Sequence, residues 1–125
     1  MESLGTRFVQ ALAAKDKVAL AILLSPGIDF KGLTPGQFWE ADSAAELIEI
    51  LFDSWFEPTD EILELLNCTE NEVAGRPSLS YRLRVRNGGG EHLVEQQAYY
   101  GVADGQLDYL RVLCSGFRLV EPKAE

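Results

Sequence analysis

Leu79-Ser80-Tyr81-Arg82-Leu83-Arg84-Val85-Arg86 runs directly into Asn87-Gly88-Gly89-Gly90, and then into Glu91-His92-Leu93-Val94-Glu95-Gln96-Gln97-Ala98-Tyr99-Tyr100. In the first run apolar and polar side chains alternate without a break, the pattern of a strand with one face on a core and the other in water. The glycine-rich stretch reads as a hairpin turn and Glu91 to Tyr100 as the return strand. Asp104-Gly105 is a second tight turn, feeding a last long strand from Leu107 to Phe117. Upstream, Glu61 to Cys68 is apolar enough for a buried strand, joined to the first run by a polar connection from Asn71 to Pro77.

Before Asp60 the period is helical. Leu4, Phe8 and Leu12 form an apolar stripe, predicting a helix from about Ser3 to Ala14. Asp16 caps a second helix whose apolar positions are Val18, Leu20, Leu23 and Leu24, stopped by Ser25-Pro26-Gly27. Ile28 to Leu33 reads as a short strand and Thr34-Pro35-Gly36 as a turn. Ser43-Ala44-Ala45-Glu46 is a capping box for a third helix with the apolar stripe Leu47, Ile48, Leu51, Phe52 and Trp55, ended by Pro58.

Helices followed by a run of strands imply an α+β fold, with helices on one face of an antiparallel sheet. A chain of 125 residues, 46% hydrophobic and 25% charged, is expected to be a single domain over residues 1–125, ordered from about residue 3 to 120. A short charged tail begins at Glu121. Cys68 and Cys114 are too few for a disulfide framework. One histidine and no suitable carboxylate spacing give no metal site, and no cofactor motif is present. The formal charge of -9 disfavours nucleic acid and anionic membranes, and the arginines at 82, 84 and 86 read as a solvated strand face. No signal-like start or long apolar run occurs, which predicts a cytoplasmic protein without a membrane anchor.

The element order, with the Asp104-Gly105 turn feeding a long terminal strand, resembles the nuclear transport factor two-like (SnoaL-like) superfamily over nearly the whole chain. That resemblance implies a cone-shaped, curved antiparallel sheet of the cystatin-like kind, wrapped on three N-terminal helices, with a pocket at its open end. Members include isomerases, dehydratases, cyclases, epoxide hydrolases and proteins without chemistry.

Hairpin register decides which side chains face such a pocket, because a slip of one residue reverses every side chain. A three-residue loop, Gly88 to Gly90, sets Asn87 against Glu91, Tyr81 against Gln97 and Leu79 against Tyr99. A four-residue loop sets the arginine row beside Leu93, Glu95 and Gln97, and burying three arginines is costly unless each is paired. The shorter loop is therefore expected. With a two-residue loop at Asp104-Gly105, the inner face carries Tyr81, Glu95, Gln97, Tyr99, Leu110, Val112 and Cys114. The outer face carries Val94, Gln96, Ala98, Tyr100, Tyr109, Arg111 and Leu113, apolar enough for the homodimer interface that relatives commonly place there.

On that register Glu95 is a desolvated carboxylate suited to general acid/base work, or else a hydrated mouth residue paired with an arginine. Tyr81 and Gln97 orient a polar ligand group or satisfy each other. Asp29 lies near where several enzymes of the superfamily keep an acid, or is a solvated strand end. Trp39 and Trp55 serve packing or stack on a ligand, with Trp39, in a loop with Phe38, also a candidate for the rim. Cys114 reads as a core thiol, and His92 points outward without a role. The steroid isomerases of the superfamily use a tyrosine, an aspartate base and a protonated aspartic acid. The matching positions here are Phe8, about Phe30, and Gln97, which removes that mechanism.

Three functions follow. The first is a pocket for a small apolar or amphipathic metabolite, lined by Tyr81, Gln97, Tyr99, Leu110, Val112, Cys114, Trp39 and Trp55. The second is an isomerase- or cyclase-like enzyme with Glu95 or Asp29 as general base. The third is a non-catalytic homodimeric module whose cone is filled.

Overall fold

The predicted Asp16 and Ser43 caps form in the computed structural model, which describes residues 2–120, and Ser3 adds a third. The Ser3 hydroxyl accepts from the Thr6 N–H at the start of α1 (Leu4–Ala13), and the Asp16 carboxylate accepts from Ala19 at the start of α2 (Lys17–Leu23). Ser43 Oγ accepts from the Glu46 N–H at 3.1 Å and opens α3 (Ala44–Glu49), satisfying a donor that the helix itself cannot. α3 then widens into a π-helical turn, Ile50–Trp55, whose i to i−5 bonding continues in the Phe56 N–H to Leu51 carbonyl bond of 2.7 Å.

Seven strands follow or interleave: β1 (Leu24–Thr34), β2 (Gln37–Ala41), β3 (Glu61–Val73), β4 (Arg76–Asn87), β5 (Gly90–Ala103), β6 (Gln106–Cys114) and β7 (Arg118–Leu119). They form one curved, unclosed sheet in the order β2-β1-β6-β5-β4-β3, with β7 continuing beside the start of β5. The α+β expectation stands. The sheet is mixed rather than wholly antiparallel, because β1 runs parallel to β6, with β2, α3 and β3 to β5 between them in the chain. Irregularities in β3 between Ile62 and Asn67, and in β5 at Gly101/Val102, bend the strands around the helices.

The helices lie on the concave face. Phe8, Leu12, Leu20, Leu47 and Leu51 meet Leu79, Leu83, Val85, Val94, Ala98 and Leu110, each no more than 1% exposed. Gly5 on α1 makes the close approach possible: a Cβ there meets Tyr100 Cζ at 2.6 Å and Leu79 Cδ1 at 2.7 Å. Val18, by contrast, faces solvent although it belongs to the expected apolar set of α2.

The predicted register of the β4–β5 hairpin is corrected. Asn87 pairs with Gly90, so Gly88 and Gly89 alone form the loop, and the Asn87 side chain accepts from the Gly89 N–H at 2.8 Å. Tyr81 therefore faces Gln96, Leu83 faces Val94 and Leu79 faces Ala98. The Asp104-Gly105 loop has its predicted two residues, with Ala103 paired to Gln106. An irregularity at Gly101/Val102, where Asp108 is left over, shifts the rest of β5 against β6 by one residue. Both slips act in the same sense. Val94, Gln96, Ala98 and Tyr100 are buried, while Glu95, Gln97 and Tyr99 lie on the convex face. The arginines still point out, so no charge is buried by the change. Arg82 pairs with Glu95, Arg84 with Glu64 and Glu91, and Arg86 with Glu61. The burial cost set against the four-residue loop does not arise in this two-residue one, because Leu93, Glu95 and Gln97 accompany the arginines to the outside.

Candidate functional site

At the open end of the cone a cleft of about 300 Å³ opens between the π-helical turn, the β1–β2 turn and the broken end of β6. Its apolar walls are Trp39, Trp55, Phe56 and Phe117. Trp55 is placed by the π-helical turn and packs on Phe30 (centroids 5.9 Å apart) and edge-on to Trp39 at 6.3 Å. Gly32 beneath it leaves no room for a Cβ, which meets Trp55 Cζ2 and Phe30 Cζ at 2.8 Å. Trp39 lies on β2, an edge strand rather than the predicted loop, and its Nε1–H donates to Thr34 Oγ1 at 2.8 Å. Phe117 follows the Ser115-Gly116 break, where the strand leaves β6 and rejoins the sheet as β7. It packs on Phe56 and on His92.

The polar lining groups are mostly tied to one another. Asp60 is the only buried carboxylate among the described residues. One of its oxygens accepts from the Asn87 side chain and the other from the Glu57 N–H, both at 2.9 Å. Cys114 Sγ accepts from Gln96 Nε2 at 3.2 Å and from the Gly116 N–H at 3.4 Å. Trp55 Nε1 has no acceptor and is sealed from solvent. An unpaired donor of that kind costs about 1–3 kcal/mol.

Behind Cys114 lies a buried polar chain. The Tyr81 hydroxyl donates to Gln96 Oε1 at 2.6 Å, and Gln96 passes a donor on to Cys114. Burial drives the Tyr81 phenol pKa far above its ordinary value, and the neighbouring Cys114 and Cys68 add to that. Burial likewise raises the Cys68 thiol, against a hydrogen bond from Thr6 and with a smaller raising contribution from Glu70.

The predicted site residues divide. Trp39, Trp55 and Cys114 line the cleft. Tyr81, Leu110 and Val112 are on the inner face but belong to the closed core. Glu95, Gln97 and Tyr99 are not on the inner face. Glu95 pairs with Arg82 at 3.3 Å and Arg118 at 3.4 Å, and Gln97 donates to the Tyr99 hydroxyl at 3.0 Å. Asp29 is on the convex face, since Phe30 takes the inner position of β1. Its hydrogen bond to Arg111 holds the carboxyl below the usual carboxylate range. His92, expected to point outward, faces inward opposite Val85 with Nδ1 unpaired. Gln96, Asp60, Asn87, Phe56 and Phe117 are the residues that sequence reasoning missed. From the pattern Asn87 and Phe117 are only a turn and a strand end, whereas Gln96 follows from the register alone.

No group of three or more His, Cys, Asp or Glu side chains among the described residues is arranged to hold a metal. No helix among them is long and apolar enough to cross a membrane.

No family model matches the sequence, and no curated protein matches it. Solved structures do match the fold. A candidate isomerase from Rhodopseudomonas palustris superposes with a TM-score of 0.70 at 16% identity, covering 93% of this chain and 92% of that one. An LEH-like epoxide hydrolase from M. tuberculosis gives 0.66 at 11% identity, covering 90% and 80%. An NTF2-like protein of unknown function from Cytophaga hutchinsonii gives 0.58 at 16%, covering 90% and 87%. The chain thus has an α+β cone fold with a mouth at one end. That fold is the nuclear transport factor two-like, SnoaL-like one.

Proposed function

We propose that this protein binds a small, largely apolar molecule in the cleft at the cone mouth. One observation carries the reading: four aromatic side chains wall the cleft, while most polar groups around them are engaged with each other. Apolar walls with few free polar groups are the usual make-up of a ligand pocket, and the volume is at the small end of the range. Of the residues singled out in the sequence, Trp39, Trp55 and Cys114 serve as lining. Solved neighbours include a candidate isomerase and an epoxide hydrolase, which supports a small-molecule role for this fold.

Titrating 2-naphthylmethanol into labelled protein tests this, since the only two tryptophans, Trp39 and Trp55, both line the cleft. Both indole N–H signals should shift saturably, and Phe117→Ala should weaken binding about five-fold or more, the worth of a buried aromatic contact. Absence of saturable shifts, or shifts confined to the convex face, would overturn the reading.

A proton-transfer enzyme of the isomerase or cyclase kind is the second reading, favoured by the presence of Asp60 in the cleft. Against it, both Asp60 oxygens already accept hydrogen bonds, and Glu95 and Asp29 sit on the other face beside arginines. Homodimerisation through the convex face also belongs to the proposal. Leu33, Phe38 and Leu113 are about half exposed there and frame a groove with Tyr99 and Arg111. Phe38→Asp should abolish a sedimentation-detected dimer, and a monomeric wild type would remove the idea.

A further inference from the structure

The cleft has a definite charge. Glu57 and Asp60 line it, and no lysine, arginine or histidine does. Lys15 sits behind these acids, its ammonium donating to the main-chain carbonyls of Glu57, at 2.8 Å, and of Asp60. It offsets one of the two negative charges without joining the lining. The Glu57 carboxylate is exposed at the rim and has no ion-pair partner among the described residues. The chain as a whole carries a formal charge of -9, so the surrounding field has the same sign.

The walls favour the same kind of ligand. Trp39 and Trp55 meet at 80°, forming a corner, and Phe56 and Phe117 add rings at 39° to each other. Aromatic faces carry negative quadrupole charge and attract cations, tryptophan most strongly; cages of such rings are how quaternary ammonium groups are bound. The one buried and unpaired polar side-chain group of the lining, Trp55 Nε1–H, is shut away from solvent in this conformation and does not select between ligands.

We infer that the molecule this cleft takes is an organic cation: an ammonium or quaternary ammonium group on an apolar body. The inference rests on the cleft being the binding site proposed above, and it adds the sign of the ligand's charge.

Three probes with one body test it on the full chain: (2-naphthylmethyl)trimethylammonium, 2-naphthylmethanol and 2-naphthylacetate, compared by calorimetry and by the two indole N–H signals. The ammonium should bind about five-fold or more tighter than the alcohol, with the carboxylate weakest. Glu57→Gln should shrink the ammonium-to-alcohol ratio about two-fold or more. Glu72→Gln, exposed at the far end of β3, should leave that ratio nearly unchanged, which separates local recognition from the field of the whole protein. Equal or tighter binding of the carboxylate, or a ratio that responds equally to both variants, overturns the cation assignment. If the alcohol alone binds, the cleft is a ligand site and only its charge preference is wrong. If no probe moves the indole signals, the binding site itself is refuted and the cation assignment with it.

Discussion

Replacing Tyr81 by phenylalanine removes one oxygen from the core and nothing from its shape. In the structure that oxygen donates to Gln96 Oε1 at 2.6 Å, and both residues are no more than 4% exposed. Tyr81→Phe leaves a buried amide oxygen without a donor, a loss of about 2 kcal/mol. For a chain of this length that is about 8 °C in Tm. Gln96→Leu leaves the phenol unpaired and should cost a similar amount. The double substitution removes both polar groups together, and it should cost no more than the worse single change. The coupling across the cycle is then about 2 kcal/mol or more, measurable by urea unfolding with an unchanged m-value. The phenol supplies a second readout. Its folded-state pKa is raised, so the folded protein holds a proton that the unfolded chain releases above the ordinary phenol value of about 10. Stability is fully present below that pH and is lost as pH rises, at up to about 1.4 kcal/mol per unit, and Tyr81→Phe should flatten that slope. Strict additivity, or coupling of Tyr81 to Gln97 rather than Gln96, would refute the register and with it the assignment of faces on β5.

Gly5→Ala should destabilise by about 1–3 kcal/mol in chemical denaturation, because crowding against Tyr100 and Leu79 outweighs the gain in helix propensity; a more stable variant would contradict the packing of α1. Gly32→Ala should cost a similar amount and also move the Trp55 indole signal, since its Cβ meets Trp55 at 2.8 Å. Asn87→Ala should cost about 2 kcal/mol by urea unfolding, having lost the ties to both Asp60 and Gly89; a change under about 0.5 kcal/mol would show that these bonds do not hold the cleft floor. Glu95→Gln should change stability by less than about 1 kcal/mol, as its arginine pairs are more than a third exposed. A larger loss would mean that Glu95 is buried after all.

The fold was legible wherever one face of an element is apolar throughout. Leu79, Tyr81, Leu83 and Val85 admit a single orientation for β4, and Ser43 with Glu46 marks the start of α3. β5 has no such property. Its two faces read Val94, Gln96, Ala98, Tyr100 against Leu93, Glu95, Gln97, Tyr99, and each mixes polar and apolar groups. Alternation therefore does not choose between them, and the choice passed to the loop, where three successive glycines allow more than one turn length. β2 escaped notice for a different reason: Gln37–Ala41 is a short edge strand with only Ala41 buried, so its pattern is that of a loop.

These ambiguities resolve together once the charges on the convex face are counted as pairs. Arg82 opposite Glu95 and Arg86 opposite Glu91 are cross-strand opposites only in the observed register, and opposite charges in that relation stabilise it while one slip would separate them. The same register forces Gln96 beneath Tyr81, and Gln96 in turn meets Cys114 at the place where β6 breaks. That break turns Phe117 inward to pack on Phe56, which supplies one wall of the cleft. The cone mouth and the salt bridges on the opposite face of the sheet thus share one register. Breaking them singly should cost little. Reversing the sign of all three arginines should penalise the observed register alone, and its readout is the cleft: the Trp39 and Trp55 indole signals should lose their response to an aromatic probe before the helices unfold. Simultaneous loss of cleft and helices would show that the face of β5 is set by the core and not by its charges.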